Sequence, residues 1–156
     1  MLFRSKLKNI SPADYARHHP GGQLGRRLLL TVEDVMRKGE RNPTIRVENS
    51  VRDMLARITE GQAGAISVVN SRGQLVGLVS DYDVRKALES SPSLFDLHIR
   101  DIMNPTPLSV QSHQLASDAL ELMRSRKKPT AVLPVIDARA RVVGMLHIMD
   151  LVSAGL

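Results

Sequence analysis

Gly77-Leu78-Val79-Ser80-Asp81-Tyr82-Asp83 returns later in the chain as Gly144-Met145-Leu146-His147-Ile148-Met149-Asp150. Outward from it, towards the N-terminus, Val32-Glu33-Asp34-Val35-Met36 returns as Ile99-Arg100-Asp101-Ile102-Met103. The same offset of 67 residues separates Asp34 from Asp101 and Asp83 from Asp150. The two copies therefore agree in register at both ends and differ in length only in between. A unit of this size buries little apolar surface by itself, and two copies are too few for a solenoid. The halves are expected to pack on each other as a compact tandem, with paired polar clefts at a pseudo-two-fold interface.

Periodicity fills in the elements. Val51, Met54, Leu55 and Ile58 fall at i, i+3, i+4 and i+7, which predicts one face of an amphipathic helix with Ser50 as its cap. Residues 65–70 are apolar and β-branched and predict a buried strand. Ser71-Arg72-Gly73 is a turn, and residues 74–79 complete a hairpin. Ser80 caps a helix over residues 81–89 whose Val84, Ala87 and Leu88 face the core, and residues 44–47 alternate as a further strand.

The second copy repeats the order. A strand covers 108–110, and Leu115, Ala119, Leu122 and Met123 mark a helix face. Residues 132–136 and 141–146 form the hairpin, and a final helix over 148–154 stops at Gly155. Pro134 predicts an edge position for its strand. Each copy reads β-α-β-β-α, an α+β (α/β) fold with both helices on one face of a small sheet. The expected divisions are 1–29 as a segment outside the repeat, 30–95 as the first copy and 96–156 as the second. Ser11-Pro12-Ala13-Asp14 looks like a helix start, and the stretch from His19 to Gly25, rich in glycine, reads as a connection.

Composition narrows the function. Hydrophobic residues make up 42% of the 156 and aromatics only 3%, so aliphatic side chains and seven Met must fill the core. The absence of Cys excludes disulfides, thiolate metal sites and Cys nucleophiles. No apolar run approaches the ~20 residues that span a bilayer, and Met1-Leu2-Phe3-Arg4 opens no secretory segment. The expectation is a cytoplasmic protein without membrane contact. The charge is +6, with basic clusters at Arg26-Arg27, Arg37-Lys38, Arg124 to Lys128, and Arg139 with Arg141. A solvated basic face, an anionic small ligand and a nucleic acid remain open as explanations. Nucleic acid is the weakest of them, because no aromatic platform, zinc finger or basic zipper accompanies the charge.

Ser80 and Asp83 are the sharpest candidates. A carboxylate on the first turn of a helix can accept from both hydroxyls of a ribose. The cap hydroxyl and free N–H groups of the same helix start can meet a phosphate. The plainer alternative is that Ser80 only caps the helix and Asp83 only favours its dipole. His147 and Asp150 hold the matching places in the second copy, where the imidazole could bond an anion and titrate near neutral pH. Two ligands close no metal site, so none is assigned.

The tandem β-α-β-β-α unit, each copy closing on hydrophobic-Gly-hydrophobic-hydrophobic-[Ser/Thr]-x-x-Asp, resembles a CBS domain pair (a Bateman module), with His147 where Ser or Thr is usual. The resemblance implies a regulatory nucleotide-binding module in which the backbone edges at Thr44, Ile45, Ala65 and Ile66, and likewise at Thr106, Leu108, Thr130 and Val132, flank the base. It also implies face-to-face homodimers.

A narrower resemblance lies at His19-Pro20-Gly21-Gly22-x-Leu24-Gly25-Arg26-x-Leu28-Leu29. This stretch is similar to the junction between the sugar-isomerase (SIS) and CBS domains of arabinose 5-phosphate isomerases of the KpsF/GutQ type. Leu146-His147-x-x-Asp150-Leu151 resembles the ending of the same family. The implied ligand is AMP, ATP or a nucleotide sugar such as CMP-Kdo, with no cofactor required and a SIS domain as partner in cis or trans. Catalysis by this chain alone is not expected. His19 would act only with a SIS domain, because aldose–ketose exchange needs a positioned base and acid together. An oligomerisation or nucleic-acid module stands as the remaining alternative.

Overall fold

A computed structural model of the chain describes residues 22–156. The expected helix start at Ser11 and the candidate His19 lie outside the described residues. Two short helices lead in, α1 (Gln23–Leu29) and α2 (Val32–Val35). The first copy continues with β1 (Thr44–Arg46), α3 (Val51–Gly61), β2 (Ala65–Val69), β3 (Leu75–Ser80) and α4 (Asp81–Ser90). The second runs α5 (Ile99–Ile102), β4 (Val110–Gln111), α6 (Ala116–Arg124), β5 (Val132–Ile136), β6 (Val142–His147) and α7 (Ile148–Ser153). Each copy builds a three-stranded sheet, β1-β2-β3 or β4-β5-β6, with the first pair parallel and the second antiparallel.

Strand alternation divides the labour of each sheet. On β2 and β3, Ile66, Val68 and Val79 turn to one face and cluster with Val51, Met54 and Ile58 of α3 and Ala87 of α4. Ala65 and Leu78 turn to the other face and meet Val132 and Met145 of the second copy. With helices on one face and the partner copy on the other, β2 is buried along its whole length, which explains its unbroken apolar run. Side chains buried this fully, Met54 and Ile66 among them, stabilise the fold by about 1.5–3 kcal/mol each.

The unit that repeats in sequence is not the unit that packs. Val32 of α2 lies in the core of the second copy, with Val35 and Met36 beside it. Ile99 and Ile102 of α5 lie in the core of the first. The backbone follows the same exchange: Arg37 bridges to Met145 on β6, and Asn104 bridges to Leu78 on β3. Gly77 and Gly144 show what this close approach requires. A Cβ at Gly77 would run into the Met103 sulfur and the Asn104 carbonyl, and one at Gly144 into the Met36 sulfur and the Arg37 carbonyl. Each copy is completed by the lead-in of the other.

Several elements depart from the sequence expectation. Gln23 to Gly25, the end of the expected connection, instead open α1, which packs against α6 and buries Gly25. Leu88 is exposed rather than inward, leaving Ala87 as the buried residue of α4. The buried face of α6 is Ala116, Ala119, Leu120 and Met123. Leu115 is its N-cap and Leu122 sits half-buried on its flank.

Pro134 lies on the central strand, not an edge. Its register mate Ser67 donates its backbone N–H to the Pro43 carbonyl at 3.1 Å. Proline has no N–H to give, so the corresponding bond towards β4 cannot form, and β4 starts only at Val110, with Leu108 outside it.

Candidate functional site

The start of α4 is built by reciprocal capping. Asp83 Oδ2 accepts from the Ser80 backbone N–H at 2.8 Å and from Ser80 Oγ at 2.7 Å, while Ser80 Oγ accepts from the Asp83 N–H at 3.4 Å. The plainer role foreseen for this pair is thus real, because these bonds satisfy orphan groups of the first turn. The capping bonds engage one carboxylate oxygen, Oδ2. Asp81, the first residue of the helix, donates its N–H to the Gly64 carbonyl at 3.0 Å and draws the loop before β2 against the helix start.

That helix start lines a cleft of about 1360 Å³ along the seam between the copies. One wall carries Ser80, Asp83 and Lys86. The opposite wall is the loop before β5, with Lys127, Lys128, Thr130 and Val132, and the exchanged lead-in of α5 forms the floor at Met103 and Asn104. His147 joins from the head of α7. Its lining carries charges of both signs: Lys86, Lys127 and Lys128 together with Asp81, Asp83 and Asp101. Such a cleft suits a ligand carrying both hydroxyls and anionic oxygens.

The cleft gathers five residues named from sequence: Ser80, Asp83, Thr130, Val132 and His147. It does not gather the rest. Ile45, Ala65 and Ile66 are core side chains with at most 1% exposure. Thr44 is half-buried, and its carbonyl accepts from Arg57 at 2.8 Å. Thr106 is exposed and donates its N–H to the Asn104 side chain, and Leu108 packs on the second core.

The matching seam at Asp150 is closed by a residue that sequence reading had counted only among the basic clusters. Arg37 is 9% exposed. It donates from Nε to Asp150 Oδ2 at 2.5 Å and from Nη2 to Oδ1 at 3.2 Å, and its Nη1 reaches the Gln62 carbonyl at 2.9 Å. Arg41 approaches Asp150 at 4.0 Å from the solvent side. One signal in the sequence points to the difference: the 67-residue register sets Arg37 against Asn104, a cation against a neutral amide.

His147 caps α7 by accepting the Met149 N–H on Nδ1 at 3.1 Å. Burial, and then the neighbouring Arg37 and Arg41 guanidiniums, hold its pKa below the ordinary 6.5 against the opposing pull of Asp150. An imidazole accepting on Nδ1 while neutral carries its proton on Nε2, so His147 is a donor there.

Among the described residues no helix is long and apolar enough to cross a membrane, and no cluster of three His, Cys, Asp or Glu side chains could hold a metal ion. The model of the CBS domain matches this chain twice, over residues 32–90 and 99–156. The chain belongs to the CBS domain family. Its two CBS domains are similar to part of arabinose 5-phosphate isomerase KdsD of Pseudomonas aeruginosa, 37% identical over 150 residues that make up 96% of this chain and 45% of the relative. The chain therefore spans slightly under half the length of that relative.

Among solved structures, CBSX2 in complex with AMP is 30% identical, with a TM-score of 0.67, over 80% of this chain and 95% of the other. The CBS domain pair of protein MJ0100, in complex with 5′-methylthioadenosine and S-adenosyl-L-methionine, shares the fold. It has a TM-score of 0.69 at 21% identity over 80% of this chain and 94% of the other.

Proposed function

We propose that this CBS pair is the regulatory ligand-binding module of an arabinose 5-phosphate isomerase. It takes a nucleotide or nucleotide sugar, AMP, ATP or CMP-Kdo, in the cleft at Asp83. The observation that carries the reading is the convergence of Ser80, Asp83, Lys127, Lys128 and Thr130 on one seam between the copies. The Asp83 carboxylate accepts from the ribose hydroxyls. The lysines meet the phosphates, and the backbone around Thr130 to Val132 flanks the base. CBSX2, whose complex with AMP shares 30% identity with this chain, supports the ligand class. The KdsD relative supports the isomerase context.

A ligand gripping both walls favours one packing of the copies over another. That preference is passed to a SIS domain joined through residues 1–29 or held in trans. Exposed Tyr82 and Leu88 on α4, and Met149 and Val152 on α7, support a homodimer formed through these helices.

Melting the chain with AMP, ATP, CMP and CMP-Kdo in turn tests the reading. A ligand at a hundred times its Kd stabilises by about 2.7 kcal/mol and raises the Tm accordingly. No shift with any of the four would reject it.

A further inference from the structure

Asp83 and Asp150 are register mates, and a tandem of this kind offers each of them a cleft. We infer that the Arg37 guanidinium is a built-in occupant of the second cleft, so that the chain takes one adenine nucleotide, at Asp83, and none at Asp150. The inference rests on the nucleotide reading and fixes its stoichiometry and place.

The geometry argues for an occupant rather than a passing ion pair. The Arg37 backbone is pinned in both directions to Met145, with N–H to carbonyl distances of 2.8 and 3.0 Å. Met36 next to it fills the space over Gly144. The side chain therefore starts from a fixed point and is almost wholly buried. Its guanidinium engages both oxygens of Asp150, whereas the capping bonds at Asp83 engage only Oδ2.

Its remaining arm reaches the Gln62 carbonyl, the register mate of Pro129 on the basic wall of the first cleft. Arg37 thus spans from the acid wall to the loop wall, as a ligand would span the first seam. In that first seam the mate of Arg37 is Asn104, exposed and bonded locally to Thr106. A nucleotide entering the second cleft would have to leave a buried charge unpaired, which makes its binding there at least about a hundredfold weaker.

Calorimetric titration of the whole chain with AMP tests this. The expected result is one AMP per chain. Asp83→Asn, which keeps a capping acceptor, weakens binding about tenfold or more and uncovers no second site. Arg37→Asn, which copies the residue of the other repeat, raises the count to two. Two equal sites in the unaltered chain overturn the inference, as does a full-strength equivalent surviving in Asp83→Asn. So does a folded Arg37→Asn that still binds one. If Arg37→Asn does not fold, the first two measurements decide.

No heat with AMP, ATP, CMP or CMP-Kdo rejects the nucleotide reading instead. The contact itself is then read from the His147 titration by NMR, since His147 is faced by Arg37, Arg41 and Asp150. That titration moves to higher pH in Arg37→Asn if the guanidinium sits where described. An unmoved titration overturns the contact.

Discussion

Between Asp83 and the Lys127–Lys128 wall the seam of the two CBS domains opens into a cleft of about 1360 Å³, whereas between Asp150 and Gln62 the matching seam is spanned by Arg37. Two sequence differences account for the contrast. The link from α3 to β2 is three residues, and that from α6 to β5 is seven, bringing Lys127 and Lys128 to the open side. The exchanged lead-ins deliver Arg37 to one acid and Asn104 to the other. A duplication keeps its fold while its two seams diverge, because packing depends on the apolar mates and the lining of each seam on a few polar ones.

The sharpest way to break this comparison is to remove the two mates in turn. Arg37→Ala leaves the partly buried Asp150 carboxylate with only the exposed Arg41 beside it and is expected to cost about 2–3 kcal/mol, read by urea denaturation. Asn104→Ala, at an exposed site, is expected to stay within about 0.5 kcal/mol. Equal losses would mean that Arg37 and Asn104 play the same part.

The exchange of lead-ins is tested next. Gly77→Ala and Gly144→Ala each force the facing methionine and carbonyl apart and are expected to cost about 1–3 kcal/mol. Costs below about 0.5 kcal/mol at both would argue against the interlock. The central strands give a smaller contrast. Ser67, mate of Pro134, buries a hydroxyl with no hydrogen-bond partner among the described residues. Ser67→Ala is therefore expected to raise stability by about 1 kcal/mol, and a loss of that size would reveal a bond to that hydroxyl.

The smallest effect is the pH response of the two helix caps. The pKa of His147 is lowered in the folded chain, so folding favours the neutral imidazole. Its contribution is complete above the ordinary 6.5 and is lost as pH falls through the lower folded value. His147→Ser, which restores the chemistry of the first copy, should flatten the pH dependence of Tm below 6.5. An unchanged slope would place the titrating group elsewhere.

Much of this architecture was legible in the sequence, because apolar periodicity and turn residues act locally. The hairpins, the cap at Ser50 and the buried faces of α3 and β2 follow from spacings of two and three to four residues. The cap at Ser80 with Asp83 was legible for the same reason, and Thr130 and Val132 came with the family resemblance. What escaped depends on contacts far apart in the chain. Arg37 and Asp150 are 113 residues apart, and no local pattern announces that a lead-in crosses to the other copy. Helical spacing predicts an inward Leu88, yet Ala87 is the buried residue of α4. A missing backbone donor predicts an edge position for Pro134. The chain meets that constraint by shortening β4 instead.

Crystals grown with AMP would test the asymmetry most directly. The account predicts one nucleotide, its ribose on Asp83 and its phosphate towards Lys127 and Lys128, with Arg37 still holding Asp150. A nucleotide seated on Asp150 with Arg37 swung away would contradict it.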